Sequence, residues 1–264
     1  MFGVAENNNK IPIVLENPTQ MFPLYDVFNI SAPSVNSLGK MVHNTLGENG
    51  CCRFNNATLN LPCNKSYSLG GYRQSFLYFW NFLENIKKEF RFHDFIYNEC
   101  QNAITQAVNT SLQNDTGTET KDCILIGVHL RRGDFALPVK QQFGHSPARS
   151  DYLLRAINYF RKKYAKEKCL RFLILGNDEK WNRQSVSNHS SDDVILMKRR
   201  QPAVDLCILS SCHHNAISTG TFGHWAAILS GGEVTYQKEF CRNGSALCKE
   251  FDSKQYFPQN WVPL

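Results

Sequence analysis

The stretch CILIGVHLRRGDF, residues 123–135, decides the fold class of this chain. Its first eight residues are almost all apolar, with one histidine, His129, near the end. Such a run is typical of a strand buried on both faces of a parallel sheet. Two arginines and an aspartate, Arg131, Arg132 and Asp134, come directly after it. Because ligands of open α/β sheets bind at the carboxyl ends of the strands, this stretch also predicts where a binding site lies.

Short apolar runs alternate with helical patterns in the residues after this strand, which predicts successive βαβ units. The predicted strands are 123–130, 172–175, 193–197, 216–218 and 233–237, and the last of them is expected to close the series. The predicted helices are 151–164, 204–211 and one that begins near residue 223. The second half of the chain is therefore predicted to be an α/β fold with helices on both faces of a parallel sheet.

The first half of the chain carries a weaker pattern. Between Gln74 and Phe92, apolar residues recur at helical spacing, which predicts an amphipathic helix whose aromatic side chains pack in a core. The polar stretch NTSLQNDTGTETKD, residues 109–122, predicts a surface linker. We therefore expect two domains, residues 1–120 and residues 121–264.

Polar residues also stand after two later strands of the predicted sheet. Asn177 and Asp178 come after strand 172–175, and the sequence TGTFG, residues 219–223, comes after strand 216–218. Arginine side chains match phosphate oxygens in pairs of hydrogen bonds, and the amides at a helix N-terminus form a natural anion site. The three strand ends are therefore predicted to converge on a nucleotide diphosphate.

Each of these residues also fits a purely structural explanation, and at this point both explanations stay open. Asp178 is a favoured N-cap residue, and residues 219–223 fit a plain turn between strand and helix. The arginine pair fits a surface ion pair with Asp134, and His129 fits a core histidine with satisfied hydrogen bonds.

Charge and short motifs limit the classes of ligand. The chain has 29 basic and 23 acidic residues, a formal net charge of +6, which suits an anionic ligand. Nucleic acid is not favoured, because there is no basic helix with interleaved aromatics, no zinc-ligand spacing and no RNA-binding signature. No Asp-x-Asp occurs either, which argues against a metal-assisted site. The string Arg132-Gly133-Asp134 spells an integrin-binding motif, but its place at the end of a buried strand does not favour an exposed loop tip.

Cysteines and glycosylation sequons indicate an oxidising compartment. The chain has ten cysteines, none in a CxxC pair, and seven Asn-x-Ser/Thr sequons. Cys123 lies in an apolar run and is predicted to be a buried free thiol. The disulfide candidates, which lie in Asn/Gly-rich loop sequence, are Cys51, Cys52, Cys63, Cys241 and Cys248. The sequons begin at Asn29, Asn56, Asn64, Asn109, Asn114, Asn188 and Asn243.

Five ordered blocks resemble the α-1,2-fucosyltransferase family, which is of the glycosyltransferase family 11 type. GVHLRRGDF resembles its HxRRGD motif, FLILGNDEKW its second block and DLCILSSCHHNAISTGTFGHWAAILSGG its third. GYRQSFLYF precedes these blocks, and the tail YFPQNWVPL resembles the family's usual ending. The similarity covers residues 70–264, and divergent nematode-type members are the most similar in style.

The resemblance implies a GT-B-like fold of two Rossmann-like domains, of which the N-terminal one is truncated here. It implies inverting transfer of L-fucose from GDP-fucose to a terminal galactose of a glycan, with no metal and no other cofactor. By position in the motifs, Arg131 is expected to contact the diphosphate, with Arg132 supporting the site and Asp134 orienting the arginine pair. The predicted catalytic residues are thus Arg131 and Asp134. The predicted donor-binding residues are His129, Arg131, Arg132, Asn177, Asp178, Thr219, Thr221, Phe222 and Gly223.

The resemblance leaves other features open. The base that inversion requires is one of Asp134, His145 and His224, without discrimination. Family members are anchored in the membrane and face the Golgi lumen, whereas this chain has no apolar stretch of 18 residues. Its first residues resemble the helix and second strand that come after the family's Gly-rich first loop. The alternative to an active enzyme is therefore a pseudo-enzyme that binds a GDP-sugar without transfer.

Overall fold

The computed structural model describes residues 1–15, 24–35, 44–48, 50, 52–112, 123–167, 169–187 and 191–264. These residues form two compact units. The first consists of Met1–His93 and Ala246–Gln259, and the second of Asp94–Ser245 and Asn260–Leu264. The predicted domain boundary after residue 120 and most of the predicted linker lie outside the described residues.

The first unit is built from short elements. Its helices before residue 94 are α1 (Phe2–Asn7), α2 (Leu24–Val27) and α3 (Leu83–Glu89), with 3-10 turns at Asn56–Thr58, Phe76–Tyr78 and Trp80–Phe82. Its strands are β1 (Val14–Leu15), β2 (Ser34–Val35), β3 (Asn44–Leu46) and β4 (Tyr67–Leu69). They pair in parallel as β1–β2 and β3–β4. The ring of Phe28 packs against the rings of Phe90 and Phe92, with centroids 5.0 and 4.8 Å away.

The helix predicted between Gln74 and Phe92 is present only as α3, so most of that prediction is wrong. The Ser75 hydroxyl donates to the backbone oxygen of Gln255 at 2.7 Å, and this tertiary bond fixes the start of the segment. Two 3-10 turns come next, before regular helix begins. The expectation that the aromatic side chains form a core is confirmed for Phe76, Tyr78 and Phe79, which are all buried.

The second unit contains one parallel sheet of six strands in the order β10-β9-β8-β5-β6-β7. These strands are β5 (Cys123–Leu130), β6 (Cys169–Gly176), β7 (Val194–Leu196), β8 (His214–Ile217), β9 (Val234–Tyr236) and β10 (Val262–Pro263). The helices are α4 (Asp94–Ser111), α5 (Pro138–Phe143), α6 (Ser150–Lys163), α7 (Glu179–Ser187), α8 (Pro202–Ser210) and α9 (Thr221–Ser230). Two further helices, α10 (Ala246–Glu250) and α11 (Ser253–Tyr256), belong to the first unit. No helix in the described part of the chain is long and apolar enough to cross a membrane.

Every predicted strand and helix of the second half is present, so the predicted α/β class is confirmed. The two-unit α/β organisation agrees with the GT-B-like class that the motifs imply. One prediction is wrong, because strand 233–237 does not close the series. β10 pairs with β9 on its outer side. A strand of two residues is too short to leave an alternating pattern in the sequence.

Different helices cover the two faces of β5. Ile126, Val128 and Leu130 are fully buried in a core that includes the apolar side chains of α6. On the opposite face, Gly127 lies against α8, because a Cβ there would lie 3.2 Å from Cδ2 of Leu209. With both faces covered, polar side chains collect at the carboxyl ends of β8, β5 and β6, which are neighbours in the sheet.

Two of the cysteine predictions are wrong. Cys123 forms a disulfide with Cys169, and the two Cα atoms are 4.4 Å apart. The two residues are direct partners in the β5–β6 register, which brings together positions that are distant in sequence. Cys63 is a free, exposed cysteine. Cys52, Cys241 and Cys248 are disulfide-bonded as predicted, and Cys51 lies outside the described residues.

Candidate active site

The residues at the ends of three neighbouring strands are joined by hydrogen bonds. The backbone amide of Arg131, after β5, donates to the hydroxyl of Ser218, after β8, at 2.8 Å. The amide of Arg132 donates to Oδ1 of Asn177, after β6, at 2.8 Å. The predicted convergence of the strand ends is therefore confirmed.

Arg131 forms a forked ion pair with Asp134. Its Nη2 donates to Oδ2 at 3.0 Å, and its Nε lies 2.9 Å from Oδ1. Burial raises the pKa of Asp134, but hydrogen bonds from Arg131 and Asn177 and the charge of Arg131 outweigh burial and hold this pKa below its usual value. The ion-pair explanation is thus confirmed for Arg131. About a third of the Arg131 side chain, 34%, nevertheless stays exposed and can meet a ligand.

Arg132 points elsewhere and braces the surrounding backbone. Its Nη1 donates to the carbonyl oxygen of Ala148 at 2.9 Å. Its guanidinium also lies over the indole ring of Trp181, 4.7 Å from the centroid, a cation–π contact. These contacts tie the segment before α6 and the first turns of α7 to the end of β5. They agree with a supporting role for Arg132.

Asp178 and Asn177 both have structural partners. Oδ1 of Asp178 accepts a hydrogen bond from the backbone amide of Trp181 at 3.1 Å, so Asp178 caps the N-terminus of α7. Nδ2 of Asn177 donates to Oδ1 of Asp134 at 3.0 Å. The N-cap explanation of Asp178 is thus confirmed, and Asn177 contacts Asp134, the partner of Arg131.

Residues 219–223 form the turn from β8 into α9. Gly220 has φ of +92°, a conformation that favours glycine. A Cβ there would lie 3.7 Å from Cγ of Arg131, so the turn runs close to the arginine. Thr219 is buried, and its hydroxyl donates to the backbone oxygen of Ser146 at 2.7 Å. Thr221 is exposed at the first turn of α9, whose amides lack partners within the helix.

His129 is a buried, uncharged histidine. Burial, and to a lesser degree the charge of Arg131, lower its pKa to about 3. Its ring lies 5.1 Å from the ring of Phe222. A Cβ on Gly223 would lie 2.6 Å from Nδ1 of His129, so α9 rests on this imidazole. His129 is therefore a core residue, but its buried Nδ1 has no hydrogen-bond partner in the described part of the chain, so the expectation of satisfied hydrogen bonds is wrong. The ring fixes where α9 begins relative to β5.

The three candidate bases differ in their surroundings. Asp134 is held by Arg131 and Asn177. His224 is buried beside Trp261, and burial lowers its pKa to about 3. His145 is half-buried and stacks on Phe135, with ring centroids 4.1 Å apart. Burial and then the charges of Lys140 and Arg131 lower the pKa of His145, although Asp134 acts in the opposite direction.

Gln237 belongs to the site but was not among the predicted residues. It is fully buried after β9, and its Oε1 accepts a hydrogen bond from the amide of Arg149 at 3.0 Å. Its Nε2 donates to the backbone oxygen of Pro147 at 3.3 Å. It thereby holds the segment whose carbonyl groups bind Thr219 and Arg132. A polar residue at the end of the predicted strand 233–237 was the signal that could have identified it.

Two other kinds of site find no support. Gly133 and Asp134 lie in a half-buried 3-10 turn, Gly133–Ala136, so the Arg-Gly-Asp string is not an exposed loop tip. Among the residues that the structure describes, no group of three or more His, Cys, Asp or Glu side chains is arranged to hold a metal ion.

Comparison with known proteins connects this geometry to a family. Residues 52–264 match the sequence profile of glycosyl transferase family 11. The chain is 30% identical over 199 residues to galactoside α-(1,2)-fucosyltransferase 1 of Homo sapiens, and the match covers 74% of this chain and 52% of that protein. The corresponding protein of Sus scrofa is 29% identical over 198 residues, again with 74% and 52% covered. The chain thus spans about half the length of these relatives.

Similarity to solved structures is lower. The structure of NodZ α-1,6-fucosyltransferase soaked with GDP-fucose is matched with a TM-score of 0.45 and 14% identity, covering 86% of this chain and 85% of that chain. The structure of POFUT1 in complex with GDP-fucose is matched with a TM-score of 0.40 and 9% identity, covering 87% and 88%. The match to the family profile, at residues 52–264, extends over most of this chain. The chain therefore belongs to glycosyl transferase family 11.

Proposed function

We propose that the chain transfers L-fucose from GDP-fucose to a terminal galactose of a glycan, with inversion and without a metal ion, as a galactoside α-1,2-fucosyltransferase. The observation that carries this proposal is the partly exposed guanidinium of Arg131 beside Gly220, the residue that precedes α9. Membership of the family and the names of the relatives support the fucosyl group and the linkage.

The chemistry of the reaction fits this arrangement. The barrier to glycosyl transfer is dominated by charge on the leaving diphosphate and by an oxocarbenium-like sugar. Arg131 supplies a permanent positive charge with fork geometry, and the N-terminus of α9 supplies unpaired amides and a partial positive charge. These groups neutralise a leaving diphosphate without a metal. Arg131 and Asp134 form the proposed catalytic pair, in which Asp134 holds the guanidinium on the phosphates.

The other residues surround the same strand ends. We assign the guanosine to the neighbourhood of His129 and Asp178, and the phosphates to the turn before α9. The proposed donor-binding group is His129, Arg131, Arg132, Asn177, Asp178, Thr219, Thr221, Phe222 and Gly223. Inversion also requires a base for the galactose hydroxyl. His145 is the strongest of the three candidates, because its ring is half-buried in the site and burial lowers its pKa, which favours the neutral form that a base requires.

We propose the Golgi lumen as the compartment, with the chain carrying N-linked glycans. Disulfide bonds at Cys123, Cys169, Cys52, Cys241 and Cys248 support an oxidising compartment. The sequons at Asn56, Asn64 and Asn243 lie on exposed asparagines, as glycosylation requires.

A transfer assay tests this function. We expect the chain to release GDP from GDP-fucose when a terminal β-galactoside is present, and the product to carry α-1,2-linked fucose by NMR. The rate should be unchanged by EDTA, because the proposed site uses arginine in place of a metal. Binding of GDP-fucose without transfer to any β-galactoside would support the pseudo-enzyme instead. Equal rates with UDP-galactose would contradict the proposed donor.

A further inference from the structure

The side chain of Asn177 uses both of its polar atoms within the protein. Its Oδ1 accepts a hydrogen bond from the backbone amide of Arg132 at 2.8 Å. Its Nδ2 donates to Oδ1 of Asp134 at 3.0 Å. The carbonyl oxygen and the amino group of this side chain thus each form one hydrogen bond to the Arg-Arg-Gly-Asp segment, and each can form one more.

The backbone next to Asn177 is matched to this contact. Gly133 lies against it, and a Cβ on Gly133 would lie 2.8 Å from Nδ2 of Asn177 and 3.1 Å from its backbone oxygen. Gly133 is therefore the residue that lets the turn after β5 approach the end of β6. The close approach and the two hydrogen bonds together fix this turn relative to Asn177.

Asn177 is linked to Arg131 through the carboxylate of Asp134. Asp134 receives Nδ2 of Asn177 on the same oxygen, Oδ1, that lies 2.9 Å from Nε of Arg131. Its other oxygen accepts from Nη2 of Arg131. A carboxylate held from one side by an amide offers the guanidinium a single orientation.

We infer that Asn177 is a positioning residue, which orients Asp134 and, through it, the Arg131 guanidinium toward the donor diphosphate. This inference rests on the proposed function and gives Asn177 a different role from that of its neighbours in the donor-binding group.

The inference predicts a pH-dependent defect for Asn177→Asp. The new carboxylate can still accept from the amide of Arg132, but it faces the carboxylate of Asp134 where an amide used to donate. Two carboxylates at hydrogen-bond distance do not ionise independently, because the like charge raises the pKa of the pair. When the pair holds one proton, a hydrogen bond again joins the carboxyl group at position 177 to Asp134. At higher pH this proton is lost, and repulsion between the two carboxylates displaces Asp134.

Other charged groups near this pair must be considered. The positive charge of Arg131, which faces Asp134 from the same turn, lowers the pKa of the carboxyl pair. The negative charge of Asp178, the next residue after Asn177, raises it. Burial lowers the pKa of His145, which reduces the positive charge that this ring can place near the pair. None of these groups replaces the N–H of Asn177 that donates to Asp134 in wild type. The expected direction of the pH dependence is therefore unchanged.

The test measures kcat and KM for GDP-fucose between pH 5.5 and 8.0 for wild type and variants. We expect the ratio of kcat/KM of Asn177→Asp to that of wild type to fall at least about tenfold across this range, since the protonated fraction of one carboxyl falls tenfold per pH unit above its pKa. Asn177→Ala should show a loss that is constant with pH, with the KM of the galactoside unchanged. Gln184→Glu, which adds the same charge on an exposed position of α7, serves as the control and should match wild type.

A reciprocal variant separates positioning from simple damage. In Asn177→Asp combined with Asp134→Asn, the amide at position 134 can donate to the new carboxylate, so the pH slope should disappear even though the rate stays low. Unfolding midpoints at both pH limits identify a variant that has lost its fold. If Asn177→Asp is such a variant, the test is the loss of kcat/KM in Asn177→Ala with the KM of the galactoside unchanged. An active wild type with a flat ratio for Asn177→Asp overturns the inference, whereas an inactive wild type overturns the proposed function.

Discussion

Arg131→Ala is expected to lower kcat/KM for GDP-fucose by about 10²–10³-fold, the range seen when one preorganised group that stabilises developing charge is removed. The guanidinium is part exposed, is held by Asp134 and lies beside the turn into α9. Its removal leaves the negative charge of Asp134 unpaired in a site that must bind a diphosphate. The affinity for GDP should therefore fall together with the rate.

Two further variants give this prediction its controls. Arg131→Lys keeps the charge but not the fork that grips Asp134, so a smaller loss is expected. Arg155→Ala removes an arginine of α6 that pairs with Asp151 on the exposed surface, and it should leave the rate unchanged. If Arg131→Ala kept the kcat/KM of wild type, Arg131 would have no role in the mechanism.

The double substitution Cys123→Ala and Cys169→Ala is expected to lower the free energy of unfolding of the second unit by about 4 kcal/mol. This value comes from the entropy of closing a loop between residues 46 apart in sequence. The bond ties together the first residues of β5 and β6, which carry the central turn of the site at their other ends. Urea unfolding monitored by fluorescence, with and without a reductant, measures the loss.

The control for this prediction is the free, exposed Cys63. Cys63→Ala removes a thiol without breaking a bond and should leave the free energy of unfolding within about 0.5 kcal/mol of wild type. A reductant should destabilise wild type and Cys63→Ala, and it should have less effect on the double variant. Equal stability of the double variant and wild type would show that the bond contributes nothing.

Much of the second unit could be predicted because its signals are local. A fully buried strand such as β5 needs a continuous apolar run, and the charged residues directly after it mark the strand's end. The same reasoning located Asn177 and the turn at residues 219–223, because parallel strands bring their carboxyl ends to one edge. Strand order β8-β5-β6 then joined them.

The remaining features depend on contacts between distant residues, which no local pattern contains. The bond between Cys123 and Cys169 depends on strand register, and Ser75, where the 3-10 turns begin, bonds to the distant Gln255. The role of Asn177 depends on the close approach of Gly133, which brings the turn after β5 to the end of β6. In each case, local propensity was overridden by tertiary packing.

The central claim is that Arg131 and the N-terminus of α9 hold the diphosphate of the donor. A crystal structure of the chain with GDP tests it most directly. We predict phosphate oxygens within hydrogen-bond distance of the Arg131 guanidinium and of backbone amides in residues 221–223, with Asn177 still bonded to Asp134. GDP bound elsewhere, or phosphates that contact neither Arg131 nor α9, would contradict the claim.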